Sequence, residues 1–350
     1  LDYNIQDVEL VDRIDDKMKL IDLILTMTYE AKVNMSDSFT SVKYWDILIY
    51  NHLLKNNIVI PQKPSTKNKS EKYVGAYVKE PQVGQHKWVL SFDLNSLYPH
   101  LIMQYNISPE TLVDKTVDLG KNPIDDLVNK KTGLDSFKGT NYALTPNGAM
   151  FRKDKQGFLA KMMQDMYDDR TIYKKKMLDA KQKYEDTKDP KYLKDISRFN
   201  NIQMARKISL NSAYGAIGNE WFRYYELMIA EGITTSGQLS IRWIERKLNE
   251  YINNVLKTKD KDYVIASDTD SVYIRFDEIV SHVFKGCTDT QRIVNFLDKI
   301  ASEKIEPFIE KSYQELADYV NAYDQKMQMK REVIADKGIW TAKKRYILNA

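Results

Sequence analysis

Tyr263-Val264-Ile265-Ala266-Ser267-Asp268-Thr269-Asp270-Ser271-Val272-Tyr273-Ile274 is the stretch whose reading decides the fold. Two runs of strand-forming residues flank a polar turn, a pattern that predicts a β-hairpin. Its tip presents two carboxylates on a rigid base. A metal site needs such a base, because loosely held carboxylates do not fix coordination geometry. Taken alone, an Asp-x-Asp turn reads better as a solvated acidic loop. The metal reading depends on matching parts elsewhere in the chain.

The nearest such part is Trp88-Val89-Leu90-Ser91-Phe92-Asp93-Leu94-Asn95-Ser96-Leu97-Tyr98-Pro99-His100-Leu101-Ile102. A buried strand is expected to run into Asp93, then into a polar turn. Pro99 marks a helix start, where a missing N–H costs nothing. A carboxylate at a strand end, followed by free backbone N–H groups, suits a cation and an anion side by side, such as a metal-bound phosphate. Asn95 or Ser96 is equally an N-cap, and the two readings are compatible.

Residues 158–216 predict a long helical pair turning near Asp186-Thr187-Lys188-Asp189-Pro190. The first helix carries Arg170 and Lys174 one turn apart. The second puts Gln203, Lys207, Asn211 and Tyr214 on one stripe and is expected to end at Gly215, a C-cap residue. Taken alone, both faces read as solvated surface. They also suit a triphosphate, which Arg grips through paired hydrogen bonds and Lys as a point charge.

Elsewhere, apolar spacing over residues 19–57 predicts packed helices with Tyr44 and Trp45 in the core. Residues 61–72 form a polar, Lys-rich linker. Residues 113–157 read as loops and short strands, with a turn at Pro146-Asn147-Gly148. A helix is expected from Thr234 to Leu256, and residues 277–330 read as mostly helical. A strand at Arg331-Glu332-Val333-Ile334 should break at Asp336-Lys337-Gly338. The basic triplet Lys343-Lys344-Arg345 suits a nucleic-acid backbone, although such triplets are common on surfaces.

The 350 residues allow two or three compact units. With 43% hydrophobic and 29% charged residues, the composition is globular rather than disordered. The net charge of +4, from 53 basic and 49 acidic residues, permits a polyanionic partner without demanding one. The single cysteine, Cys287, excludes an internal disulfide and fits a reducing compartment. No apolar run approaches the roughly 18 residues of a membrane span, and no secretory signal is expected.

An acid at a strand end, an acidic hairpin tip and a helix face with Lys, Asn and Tyr ask for one explanation. At this level the chain resembles the polymerase core of the family B DNA polymerases, and most closely those of T4-like bacteriophages. Asp93-Leu94-Asn95-Ser96-Leu97-Tyr98-Pro99 resembles motif A, and Lys207-Ile208-Ser209-Leu210-Asn211-Ser212-Ala213-Tyr214-Gly215 resembles motif B. Asp268-Thr269-Asp270-Ser271 resembles motif C, and Lys343-Lys344-Arg345-Tyr346 the primer-gripping motif. Departures are His100 for the usual Ser, Ser267 for the usual Gly and Ala342 for a common Gly.

The resemblance implies an α+β fold: an antiparallel palm sheet packed on helices, with a short helical-hairpin fingers subdomain. Palm segments would be 63–157 and 217–350, fingers 158–216, and 20–62 part of an N-terminal domain. Residues 1–19 would be a remnant of a 3′–5′ exonuclease, with Asp7 in Tyr3-Asn4-Ile5-Gln6-Asp7 a former metal carboxylate, and no proofreading is expected. Asp93 and Asp270 would hold two Mg²⁺ ions (Mn²⁺ a substitute) with the Leu94 carbonyl, and Asp268 would support them. Ser96, Leu97 and Tyr98 would meet the nucleotide, with Tyr98 excluding a ribose 2′-OH. Arg170, Lys174 and Lys207 would bind the triphosphate, Lys207 also acting as an acid, while Asn211 and Tyr214 line the new base pair. Lys343, Lys344, Arg345 and Tyr346 would hold DNA, and Glu332 would stand near the metals.

The implied activity is viral replicative DNA synthesis from deoxynucleoside triphosphates on primer-template DNA, in the cytoplasm of an infected cell. One rival is a piece of a split polymerase that needs a second polypeptide supplying the thumb and the sliding-clamp contact. A weaker rival is a metal-dependent nuclease using only the carboxylates.

Overall fold

The strand-forming runs on either side of Asp268-Thr269-Asp270 do pair with each other. The computed structural model describes residues 1–63, 73–286 and 289–350, so the expected linker from Pro64 onward and Cys287 lie outside the described residues. In chain order come α1 (Asp2–Met18), α2 (Leu20–Ala31), α3 (Ser41–Lys55), β1 (Gly84–Leu94), α4 (Leu97–Tyr105) and α5 (Pro123–Val128). Next are β2 (Tyr142–Leu144), β3 (Met150–Arg152), α6 (Phe158–Thr187), α7 (Lys191–Ile217) and α8 (Leu227–Leu256). The chain continues with β4 (Val264–Asp268), β5 (Ser271–Arg275), α9 (Asp277–Val283), α10 (Thr290–Ile300), α11 (Glu306–Tyr319), β6 (Met329–Ala342) and β7 (Arg345–Asn349).

Two compact units result: the described residues of Leu1–Ser70 with Lys161–Glu226, and those of Glu71–Ala160 with Leu227–Ala350. In the first, α2 and α3 pack on α7. Tyr44 and Trp45 are buried as expected. The Tyr44 hydroxyl bonds the Ser209 hydroxyl at 2.7 Å, and Trp45 Nε1 donates to the Ser209 carbonyl at 3.2 Å. Helix α1 buries no residue and carries Asp7 on its exposed surface.

Among the described residues, the second unit's main sheet has five strands in the order β4-β5-β1-β6-β7, every pair antiparallel. Helix α8 lies against β4 and β5, and α11 against both α8 and β6. Trp243 on α8 is buried and donates from Nε1 to the Ser312 carbonyl at 2.9 Å. A further apolar cluster joins Val89, Ile265, Ala266, Tyr273 and Trp340. This is the α+β arrangement of antiparallel sheet and helices that the sequence implied.

Four local expectations are corrected. Helix α7 does not end at Gly215 but runs on to Ile217, because Ala216 and Ile217 are buried and continue its packed face. Gln203 is buried and donates to Asn200, so it does not belong to the exposed stripe. Helix α8 begins at Leu227, ahead of Thr234. No break occurs at residues 336–338, where β6 continues. Gly338 is there for close packing, since a Cβ would sit 2.5 Å from the Trp340 ring and 2.8 Å from Leu348 Cδ2. The expected turn at Pro146-Asn147-Gly148 joins β2 to β3; Gly148 has φ +82°, and a Cβ would lie 2.2 Å from the Val117 carbonyl oxygen.

Replacing Trp45 removes a fully buried ring and strands its hydrogen-bond acceptors. Trp45→Ala is expected to destabilise the first unit by about 3–5 kcal/mol, read as a lowered urea midpoint in circular dichroism. An unchanged midpoint would show that α3 does not hold α7.

Candidate active site

The register of β1 against β5 builds the site. Asp93 stands directly opposite Ser271. The Ser271 hydroxyl donates to Asp93 Oδ1 at 2.6 Å, and the Leu94 N–H donates to the Asp270 carbonyl at 2.9 Å. Asp270 precedes Ser271 in the turn, so the pairing brings the carboxylates of motif A and motif C together. Between Asp268 and Asp270, Thr269 has φ 57°, an uncommon conformation for a β-branched residue. Its N–H donates to the Tyr77 carbonyl at 2.9 Å, and its hydroxyl to Asp268 Oδ1 at 3.1 Å.

Strand β6 adds a third acid through a bulge. Ser91 pairs with Val333, but Phe92 pairs with Arg331, so Glu332 is the extra residue. The Val333 N–H is satisfied by the Ser91 hydroxyl at 3.1 Å, and the Arg331 N–H by Glu306 at 3.1 Å.

Burial raises the Asp93 carboxyl above the usual range; the Ser271 hydrogen bond opposes this and Glu332 adds to it. Asp270 is pushed up to about 6, first by burial and then by Asp93, with Asp268 and Glu332 adding to it. Tyr98, on the first turn of α4, is raised by burial and then by the charge of Asp270. Crowded carboxylates with raised pKa values are what a bound cation relieves. Among the described residues no three His, Cys, Asp or Glu side chains form a cage. Two carboxylates with a backbone carbonyl such as Leu94 remain, a hard oxygen set that fits Mg²⁺, which keeps places for water and substrate phosphate.

Ser96 occupies the N-cap position of α4 with φ 46°, but its side chain does not cap the helix, and Leu97 is buried behind it. The turn between β6 and β7 carries the basic residues. Lys344 Nζ lies 3.1 Å from Asp268 Oδ1 and Lys343 Nζ 3.2 Å from Glu80, while Arg345 is exposed. The Tyr346 hydroxyl bonds the Tyr273 hydroxyl at 2.6 Å, and its ring stacks on Trp340. The second unit thus gathers Asp93, Leu94, Tyr98, Asp268, Asp270, Glu332 and Lys344.

The first unit carries the helical cations. Lys207 and Asn211 are exposed on α7 with Tyr214 half-buried beside them; on α6, Lys174 is exposed and Arg170 half-buried. The adjacent Arg206 pairs with Glu30 at 3.0 Å and Asp169 at 3.3 Å. Burial raises Glu30, and Arg206 counters it. That anchoring, with Tyr44 and Trp45 on Ser209, fixes which face of α7 is free. Sequence reasoning assigned no role to Ser271 or Thr269, which orient the carboxylates. Their signal was present: a hydroxyl residue follows each acid of the turn.

The raised Asp270 predicts a pH effect. Its pKa is about 6 in the fold against 3.8 ordinarily, so its neutral form is favoured by folding. The stabilisation it contributes is fully present below the ordinary value and is lost as pH rises through about 6. Without divalent metal, Asp270→Asn should therefore have a higher thermal midpoint than the parent at pH 7.5, and the difference should vanish near pH 4. Added Mg²⁺ should stabilise the parent more than the variant. A parent at least as stable as the variant at pH 7.5 without metal would refute the crowding.

No described helix is long and apolar enough to cross a membrane. A profile of DNA polymerase family B matches residues 40–348. Across its whole length the chain is 38% identical to the DNA-directed DNA polymerase of Escherichia phage RB69 and 36% identical to that of Enterobacteria phage T4. It spans 43% and 44% of those relatives, less than half of either. Over 65% of the chain it is 32% identical to the DNA polymerase delta catalytic subunit of Candida albicans, covering 20% of that protein. With its carboxylate pair set by the strand register and a family profile matching most of its length, the chain belongs to DNA polymerase family B.

Proposed function

We propose that this chain is the palm and fingers of a viral replicative DNA polymerase, adding deoxynucleoside triphosphates to a primer. The observation that carries the reading is the juxtaposition of Asp93 and Asp270 by the β1–β5 register, with Asp270 held well above its usual pKa. Palm corresponds to 63–157 and 217–350, fingers to 158–216, part of an N-terminal domain to 20–62, and a segment of a 3′–5′ exonuclease domain, with Asp7, to 1–19. Two Mg²⁺ ions, held by Asp93, Asp270 and the Leu94 carbonyl with Asp268 in support, would supply Lewis-acid stabilisation of an in-line phosphoryl displacement; Mn²⁺ would substitute.

The chain's own groups supply the rest. Ser271 and Leu94 hold the two carboxylates in place. Lys207, Arg170 and Lys174 bind triphosphate oxygens, and Lys207 gives a proton to the leaving pyrophosphate. The Tyr98 ring fills the space that a ribose 2′-OH would need, with Ser96 and Leu97 shaping the turn beside it. Asn211 and Tyr214 line the nascent pair. Lys343, Lys344 and Arg345 neutralise DNA phosphates, with Tyr346 fixing their turn to the sheet, and Glu332 stands by as an outer carboxylate.

Primer extension with Mg²⁺ and four deoxynucleoside triphosphates tests this. Asp270→Ala should lower extension by about 10³-fold or more, and Tyr98→Ala should reduce discrimination against ribonucleotides by about tenfold or more. Extension by Asp270→Ala at the parent's rate would overturn the metal-site assignment. Extension only after a thumb-bearing second chain is added would make this chain one part of a two-chain enzyme.

A further inference from the structure

The segment between residues 73 and 83 has no part in the motifs, yet it runs along the outer edge of β4. The Lys79 N–H donates to the Ser267 carbonyl at 3.0 Å, the Gln82 N–H to the Ile265 carbonyl at 2.8 Å, and the Thr269 N–H to the Tyr77 carbonyl at 2.9 Å. Val78 forms an antiparallel bridge with Asp268. This is the edge of the sheet that would otherwise be open. The segment therefore covers the strand that carries Asp268 and is bonded to the one residue of the turn at positive φ.

What holds the segment there is a side chain. Lys79 is 13% exposed, and its ammonium is enclosed by Glu245 of α8 at 2.5 Å, Asp262 at 2.8 Å and the Val264 carbonyl at 2.8 Å. Burial works against the charge of Lys79, but Glu245 and Asp262 outweigh it and raise its pKa. Glu245 uses its other oxygen to accept from the Ser267 hydroxyl at 3.4 Å. Ser267 is buried and directly precedes Asp268. Arg242 of α8 lies over the Tyr77 ring at 5.3 Å, and Gln238 donates to the Gly75 carbonyl. Helix α8 thus acts as a beam to which both the segment and the start of the hairpin are tied.

We propose that Lys79 is a positioning residue for the catalytic hairpin: by seating its ammonium between Glu245 and the start of β4, it clamps residues 77–82 on the edge of β4 and holds Thr269, and with it Asp268 and Asp270, in place opposite Asp93. Ser267, where the resembling family usually has Gly, adds a second tie to the same Glu245. The function of the clamp rests on the polymerase reading, whereas its geometry does not. An acid pair that repels itself needs a turn that cannot relax away from it. Thr269 supplies the required bend, and the Tyr77 carbonyl keeps it from unwinding.

The test is the pair Lys79→Met with Glu245→Gln, which removes the clamp without leaving a buried charge unpaired. Amide exchange over residues 265–272 should quicken by about tenfold or more while exchange in α8 and β1 stays as in the parent. Mn²⁺ affinity of the DNA-free protein, read by paramagnetic titration, should fall by about 10- to 100-fold. kcat should fall with it while the KM for deoxynucleotides is unchanged, and Lys79→Arg should recover part of both. Should the double variant not fold, Glu245→Gln alone decides: it removes the carboxylate charge that seats Lys79 and should quicken exchange over residues 265–272 by a smaller factor. Parent-like exchange at 265–272 in the folded variant would overturn the clamp, as would loosening spread evenly over the sheet. A parent that neither binds Mn²⁺ nor extends a primer would refute the polymerase reading, and the exchange result would still decide the clamp.

Discussion

Everything in the second unit answers to one constraint: like-charged carboxylates must be kept side by side. Coulomb repulsion and burial both oppose this, as the raised Asp270 records. The opposing force is distributed. Backbone pairing of β1 with β5 fixes the register, and the Ser271 hydroxyl and Leu94 N–H lock it at the point of strain. Behind them Leu90, Phe92, Val272 and Ile274 are buried almost completely. Each such side chain contributes on the order of 1.5–3 kcal/mol, so a few of them exceed the cost of one perturbed carboxylate, worth about 1.4 kcal/mol per pKa unit. The apolar sheet can therefore carry an electrostatically unfavourable tip.

The same logic explains the asymmetry of α7. Arg206 and Lys207 are neighbours with opposite fates. Arg206 is drawn inward by Glu30 and Asp169, and Lys207 is left at the surface. The guanidinium pairs with both carboxylates, and the Tyr44 and Trp45 bonds to Ser209, one turn further along, favour the same rotation of α7. The exposure of Lys207 and Asn211, with Tyr214 half-buried beside them, is a consequence of where the apolar and paired residues must go.

Much of this was legible in the chain. Alternation and turn chemistry located the hairpin and the strand ending at Asp93, and the motif spacing identified the family. What failed did so for local reasons. Gly215 and Gly338 read as stops, because glycine is a common breaker. In the fold, Gly215 lies within a helix whose next residues are buried, and Gly338 makes room for Trp340 and Leu348. Gln203 has the right helical spacing for the stripe, but spacing alone does not say which edge of a stripe a neighbouring element covers.

The sequence by itself determined which residues could do chemistry here: the acids of the hairpin and of β1, the cations of α6 and α7, and the strand and helix periods that carry them. Tertiary structure decided how they are aimed. The β1–β5 register placed Asp93 opposite Ser271, the bulge in β6 singled out Glu332, and the edge segment with Lys79 fixed the bend at Thr269. The physical reason is that residue type and periodicity are local properties of the chain. Register, bulges and the burial of a charge arise between segments more than a hundred residues apart, where packing chooses among arrangements that local pattern leaves equal.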